Sequence, residues 1–147
     1  MRDYTILLAE DDEGHATLVK RNLSRAGILN PVIHFHDGEA ALNFLFKRGQ
    51  EPHRKDNEPY LLLLDIRMPK IDGVEVLREI KGDKDLRIIP VIMLTTTDDP
   101  FEVENCHKLG CSSYVTKPVE YMTFIETIQH LGLFLKIIQV PDVELDL

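Results

Sequence analysis

Apolar residues along this chain gather in short runs separated by segments of helical spacing. The clearest run is Tyr60-Leu61-Leu62-Leu63-Leu64. No charged residue interrupts it, so it reads as a strand buried on both faces. Residues 4–9, 32–35, 90–94 and 113–116 read as four further strands. Between them, residues 15–25 carry Ala16, Leu18, Val19 and Leu23 at helical intervals, and Gly27 is a natural stop. Asp37-Gly38 turns into a helix with Ala41, Leu42 and Leu45 on its apolar side. Asp72-Gly73 precedes a helix over residues 74–81, with Val76, Leu77 and Ile80 facing inward. Pro100 suits the first turn of a helix that Gly110 ends, and a last helix begins near Tyr121. Residues 49–59 are polar with two prolines and read as a surface loop, as do residues 82–89. Strands alternating with helices predict an α/β fold: a five-stranded parallel sheet, right-handed crossovers and helices on both faces.

In a sheet of that kind ligands bind beyond the carboxyl ends of the strands. The residues at those ends are therefore informative. The first strand runs into Glu10-Asp11-Asp12, and the third into Asp65 followed by Ile66-Arg67-Met68-Pro69. The fourth ends at Thr95, and the fifth, Tyr114-Val115-Thr116, runs into Lys117-Pro118. Crowded carboxylates repel one another unless a hard cation sits among them, and magnesium prefers such oxygen ligands while keeping several waters. Asp65 could then attack phosphorus as a nucleophile. A hydroxyl at Thr95 and an ammonium at Lys117 could bind the phosphoryl oxygens.

Bulk properties narrow the picture. The 147 residues amount to about one domain, and 44% hydrophobic content supplies a core. A net charge of −8 and a pI near 5.2 argue against nucleic acid and anionic membrane surfaces as partners. No apolar run reaches the length of a membrane span, and the first residues lead straight into a strand pattern without room for a signal peptide. Cys106 and Cys111 are too few for a disulfide framework, so a reducing, cytoplasmic setting is expected.

Taken in order, these motifs resemble the receiver domain of bacterial two-component response regulators, from residue 4 to about residue 138. The resemblance implies the flavodoxin-like, CheY-like strand order 2-1-3-4-5. It implies Asp65 as phosphoacceptor, with Mg2+ (or Mn2+ or Ca2+ in its place) held by Glu10, Asp11, Asp65 and the backbone carbonyl of Arg67. Thr95, with Thr96 beside it, and Lys117 are implied to bind the phosphoryl group, and Tyr114 to follow Thr95 as the switch aromatic. The family also places a cis peptide before the proline that is Pro118 here. Glu10 replaces the commoner aspartate. Thr96 is bulkier than the usual residue, and Arg67 is large and charged, so a slow loss of the phosphoryl group is expected.

A narrower resemblance links the long loop before strand three, Leu94-Thr95-Thr96 and the apolar tail to the small response regulators that pair with bacterial phytochromes. It implies a phytochrome-type histidine kinase as partner, and a homodimer through Phe134, Leu135, Ile137 and Ile138. The alternative for those apolar residues is packing on their own domain. Residues 1–140 form the expected domain, residues 141–147 a disordered tail, and too few residues remain for a DNA-binding domain.

Other readings are weaker. A magnesium-dependent aspartyl phosphatase would want an acid at position 67, where Arg67 stands. A receiver that has lost phosphorylation would lack an acid or the lysine. A flavin site would need a Ser/Thr/Gly-rich loop after strand one, where the acids stand. Asp12 reads as a helix cap or as a neighbour of the acidic pair. His34, His36 and His53 read as surface histidines with no acid to complete a metal set, and Cys106 and Cys111 as structural.

Overall fold

The computed structural model describes residues 3–143. The elements run β1 (Thr5–Ala9), α1 (Glu13–Arg25), β2 (Val32–Phe35), α2 (Gly38–Phe46), β3 (Glu58–Leu64) and α3 (Gly73–Gly82). They continue through a short 3-10 turn at Leu86–Ile88 to β4 (Val91–Thr95), α4 (Pro100–Leu109), β5 (Ser113–Thr116), α5 (Tyr121–Leu135) and β6 (Asp142–Val143). Five strands form one parallel sheet in the order β2-β1-β3-β4-β5. This is the expected order.

The alternation of side chains along each strand builds two cores. Leu61 and Leu63 of β3, with Ile6 and Leu8 of β1, pack against Ala16, Val19 and Leu23 of α1 and Phe124, Ile128 and Leu131 of α5. Leu62 and Leu64, with Leu7 and Ala9, pack against Ala41, Leu42 and Leu45 of α2 and Val76, Leu77 and Ile80 of α3. Cys106 of α4 joins the second core. The unbroken leucine run thus serves both faces of a covered sheet, as the sequence predicts.

Every α-helix among the described residues begins at the carboxyl edge of the sheet under an acidic cap. Asp12, Asp37, Asp72, Asp99 and Glu120 accept backbone N–H groups from the first turns of α1 to α5. Each cap satisfies a donor that the helix leaves open, and its negative charge suits the positive end of the helix dipole. Asp12 is the cap of α1, which settles one of its two readings.

Three expectations need correction. The segment over residues 49–59 is not wholly a surface loop. Arg54 is buried, donates from Nε to the Leu45 carbonyl at 2.9 Å and pairs with Asp56 at 3.3 Å. Its stem is packed because its guanidinium finds both a carbonyl and a carboxylate. The tail is not disordered at residues 141–143: β6 pairs antiparallel with Glu58 and Pro59 of β3, and Val143 is fully buried. Val143 is anchored because it fills the same core as Leu62 and Leu64. Residues 144–147 lie outside the described residues. Leu135 is 1% exposed inside the α1–α5 core, and its carbonyl accepts the Tyr4 hydroxyl at 2.6 Å, so its side chain is unavailable to a second copy.

Gly73 opens α3 directly against the Asp65 backbone. A Cβ there would land well inside contact distance of the Asp65 carbonyl oxygen. Gly82, at the other end of α3, has open space around it. Gly73→Ala is expected to lower unfolding free energy by about 1–3 kcal/mol. Gly82→Ala is expected to be neutral, or stabilising by less than about 1 kcal/mol. Urea unfolding of the two variants beside wild type checks the contrast.

Candidate functional site: an acidic cluster around a buried lysine

The ends of β1, β3, β4 and β5 converge on one crevice. Glu10 follows β1 and is 3% exposed, Asp65 follows β3 at 7%, and Lys117 follows β5 at 2%. The parallel register places Ala9 beside Leu64, so the next residues of the two strands stand side by side. The Asp65 N–H donates to the Ala9 carbonyl at 3.1 Å, and the Lys117 N–H to the Thr95 carbonyl at 2.7 Å. Backbone pairing therefore sets the positions of the charged side chains.

Lys117 Nζ donates to Glu10 Oε1 and, at 3.4 Å, to Asp65 Oδ2. It also donates to His15 Nδ1 at 3.2 Å. Two buried carboxylates thus share one ammonium. Burial pushes the Glu10 carboxyl up to about 7; the Lys117 ammonium opposes this and the Asp65 carboxylate adds to it. Exposed Asp11 completes the group, and carboxylate oxygens of Glu10, Asp11 and Asp65 lie within 4.8 Å of one another. Three oxygen donors at that spacing, one of them open to solvent, fit a hard divalent cation that keeps part of its water.

The remaining expected residues lie on the neighbouring strand ends and loops. Thr95 is fully buried at the end of β4, and its Oγ1 lies 3.5 Å from the Thr97 N–H. Thr96 is exposed at the lip. Arg67 leaves Asp65 in the β3–α3 loop, and its guanidinium reaches Glu102 of α4 at 3.3 Å. Tyr114 is half-buried and donates its hydroxyl to the Thr97 carbonyl at 2.6 Å. Burial, together with nearby Cys106 and Glu102, pushes that hydroxyl up to about 12. Tyr114 and Thr95 are therefore linked through Thr97 of the β4–α4 loop.

Residues 6–129 match the family model for the response regulator receiver domain. The chain belongs to this family. A receiver domain from Rhodospirillum rubrum superposes with a TM-score of 0.89 at 43% identity, covering 95% of this chain and 99% of that one. Response regulator Rcp1 of Synechocystis is 36% identical over 129 residues, 88% of this chain and 86% of Rcp1. Its Mn(2+)-bound structure superposes with a TM-score of 0.85, covering 94% of this chain and 99% of that one. The phosphorylated cyanobacterial phytochrome response regulator RcpA gives a TM-score of 0.84 at 29% identity, covering 95% and 99% of the two chains. This receiver is a phosphorelay protein whose partner class is a histidine kinase, and its acidic cluster has the donors to hold a divalent ion.

Two further features depart from expectation. The Lys117–Pro118 peptide is trans; among the described residues the cis bond precedes Pro52. An X–Pro bond prefers trans by about 0.5–1 kcal/mol, and the Lys117 contacts to Thr95, Glu10 and Asp65 are all made with that isomer. Second, an acid does stand beside two of the histidines: Glu13 lies against His36, with His34 close by, whereas His53 bonds the Arg48 and Gly49 carbonyls elsewhere. His15 is a site neighbour that the apolar pattern does not reveal. It faces Lys117, stacks on Phe124 at 5.5 Å, and sits three residues past its cap Asp12. That helical offset from the acidic pair is the signal that could have found it.

Removing the ammonium leaves two buried carboxylates facing each other. Lys117→Met is expected to destabilise the metal-free protein by about 3 kcal/mol. Magnesium should recover more stability in that variant than in wild type, since a ligand that binds only the folded state stabilises it. Thermal unfolding in chelator and in excess magnesium checks both.

Proposed function

We propose that this receiver takes a phosphoryl group from a phytochrome-type histidine kinase onto Asp65. The observation that carries it is Lys117 held between Glu10 and Asp65 at the meeting point of three strand ends. In the reaction an Asp65 carboxylate oxygen forms a bond to phosphorus while the bond from phosphorus to the kinase's histidine nitrogen breaks. Glu10, Asp11, Asp65 and the Arg67 carbonyl would hold magnesium, which when bound offsets the charge of the carboxylates and of the transferring group. Lys117 then leaves the carboxylates for a phosphoryl oxygen. Thr95 turns its hydroxyl to another, and Tyr114 moves with the β4–α4 loop. The face of α4, β5 and α5 changes as a result, a local charge event read at a distance.

The kinase type rests on the likeness to Rcp1 and to RcpA, the latter a phytochrome response regulator. Free thiols at Cys106 and Cys111 suit a cytoplasmic setting. No helix among the described residues is long and apolar enough to cross a membrane. Incubation with acetyl phosphate and magnesium is expected to add one phosphoryl mass to wild type and none to Asp65→Asn. An increment that persists in the variant contradicts the assignment. Decay of the same increment reads the lifetime, and Arg67→Ala or Thr96→Ala is expected to shorten it by opening the crevice to water.

The same proposal includes a homodimer. Leu133, Phe134 and Ile137 are 55%, 47% and 75% exposed along the end of α5 and the turn beyond it. Ile138 is half-buried against the α1–α5 core and can add only its outer side. Contiguous exposed apolar side chains mark interfaces, and a self-complementary patch closes as an isologous two-fold pair. Light scattering on eluted protein is expected to give a dimer for wild type and a monomer for the Phe134→Lys, Ile137→Lys double variant. A wild-type monomer, or a variant that stays dimeric, contradicts it.

A further inference from the structure

His34 lies in β2, the edge strand beside β1, and His36 follows directly after its last residue, Phe35. Their rings stand 4.2 Å apart between centroids. Glu13, in the first turn of α1, brings Oε1 to 3.1 Å from His36 Nδ1. One ligand atom from each of the three residues falls within 4.8 Å of the others. Two atoms bound to a tetrahedral zinc at about 2.0–2.1 Å stand roughly 3.3 Å apart. The His36–Glu13 separation already has that size, and the exposed side chains of both residues are free to draw in the rest.

His34 is prepared for such a role. Its Nε2 lies 2.7 Å from the Glu10 carbonyl oxygen, which can only accept. The ring proton therefore sits on Nε2, and Nδ1 presents a lone pair. A histidine whose far nitrogen donates to a backbone carbonyl is the usual arrangement around a bound metal, because that bond fixes both tautomer and ring orientation.

We propose that Glu13, His34 and His36 form a second divalent-cation site, one that takes zinc or a chemically similar transition metal with water in the open positions. Two imidazoles and one carboxylate suit that class of ion and not magnesium, which favours oxygen alone. The acidic cluster of Glu10, Asp11 and Asp65 has the opposite character, so the two sites sort two kinds of cation. They meet at Glu10, whose carboxylate belongs to the acidic cluster and whose carbonyl holds His34. A metal on His34 therefore restrains the backbone of a magnesium ligand.

The test is calorimetric titration of tag-free protein with zinc in excess magnesium, which keeps the acidic cluster filled. Wild type is expected to bind one zinc per chain. His36→Gln and Glu13→Gln, both at exposed positions, are expected to weaken binding by roughly tenfold or more, while Asp65→Asn leaves it unchanged. Circular dichroism confirms that the variants fold. The absence of saturable zinc binding overturns the proposal. So does binding that survives His36→Gln, which would place the zinc on other groups such as Cys111 and His107.

Discussion

The Lys117 ammonium has almost no access to water and two carboxylates within its reach. Burying three ionisable side chains is costly, and such clusters are weak contributors to stability even when every charge has a partner. The arrangement makes sense as a site kept ready for more charge. It also constrains the fold. Glu10, Asp65 and Lys117 leave three different strands, so β1, β3 and β5 must end at one level of one sheet. Parallel pairing with the observed registers meets that demand, and backbone bonds at Asp65 and Lys117 hold it.

Packing keeps the crevice in place from behind. The central strand is buried on both faces, so it cannot shift register without moving leucines out of two cores at once. Gly73 lets α3 start against the Asp65 backbone, and Gly38 lets α2 start against the Ile71 carbonyl. Acidic caps open all five α-helices of the described residues at the same edge. Part of the chain's negative charge is therefore structural. It also rings the site with negative potential, and that potential favours cations and disfavours stray anions.

Much of this was legible in the sequence because the signals are strong and local. An apolar run of leucines flanked by acids reads as a covered strand with a functional end, and each such end appears where it was expected. The Asp-Gly pairs marked α2 and α3 through caps that act over three residues. What escaped depends on contacts between distant segments. Glu13 opens α1 and His36 follows β2, and only the pairing of β1 with β2 brings them together. His15 looked like any helix residue until its ring met Lys117. Leu135, expected at a dimer interface, is buried in the α1–α5 core, and Val143, expected in a disordered tail, is buried where β6 pairs with β3; periodicity reports neither.

The central claim is that Lys117 and Thr95 are poised to transfer their bonds to a phosphoryl group on Asp65. A crystal structure of the beryllium fluoride adduct with magnesium tests it most directly. The expected result is beryllium on an Asp65 carboxylate oxygen, magnesium among Glu10, Asp11, Asp65 and the Arg67 carbonyl, Lys117 Nζ moved from Glu10 to a fluoride, and the Thr95 hydroxyl on another. An adduct in which Lys117 stays on Glu10 and Thr95 keeps its present contact, or a protein that forms no adduct at Asp65, would contradict it.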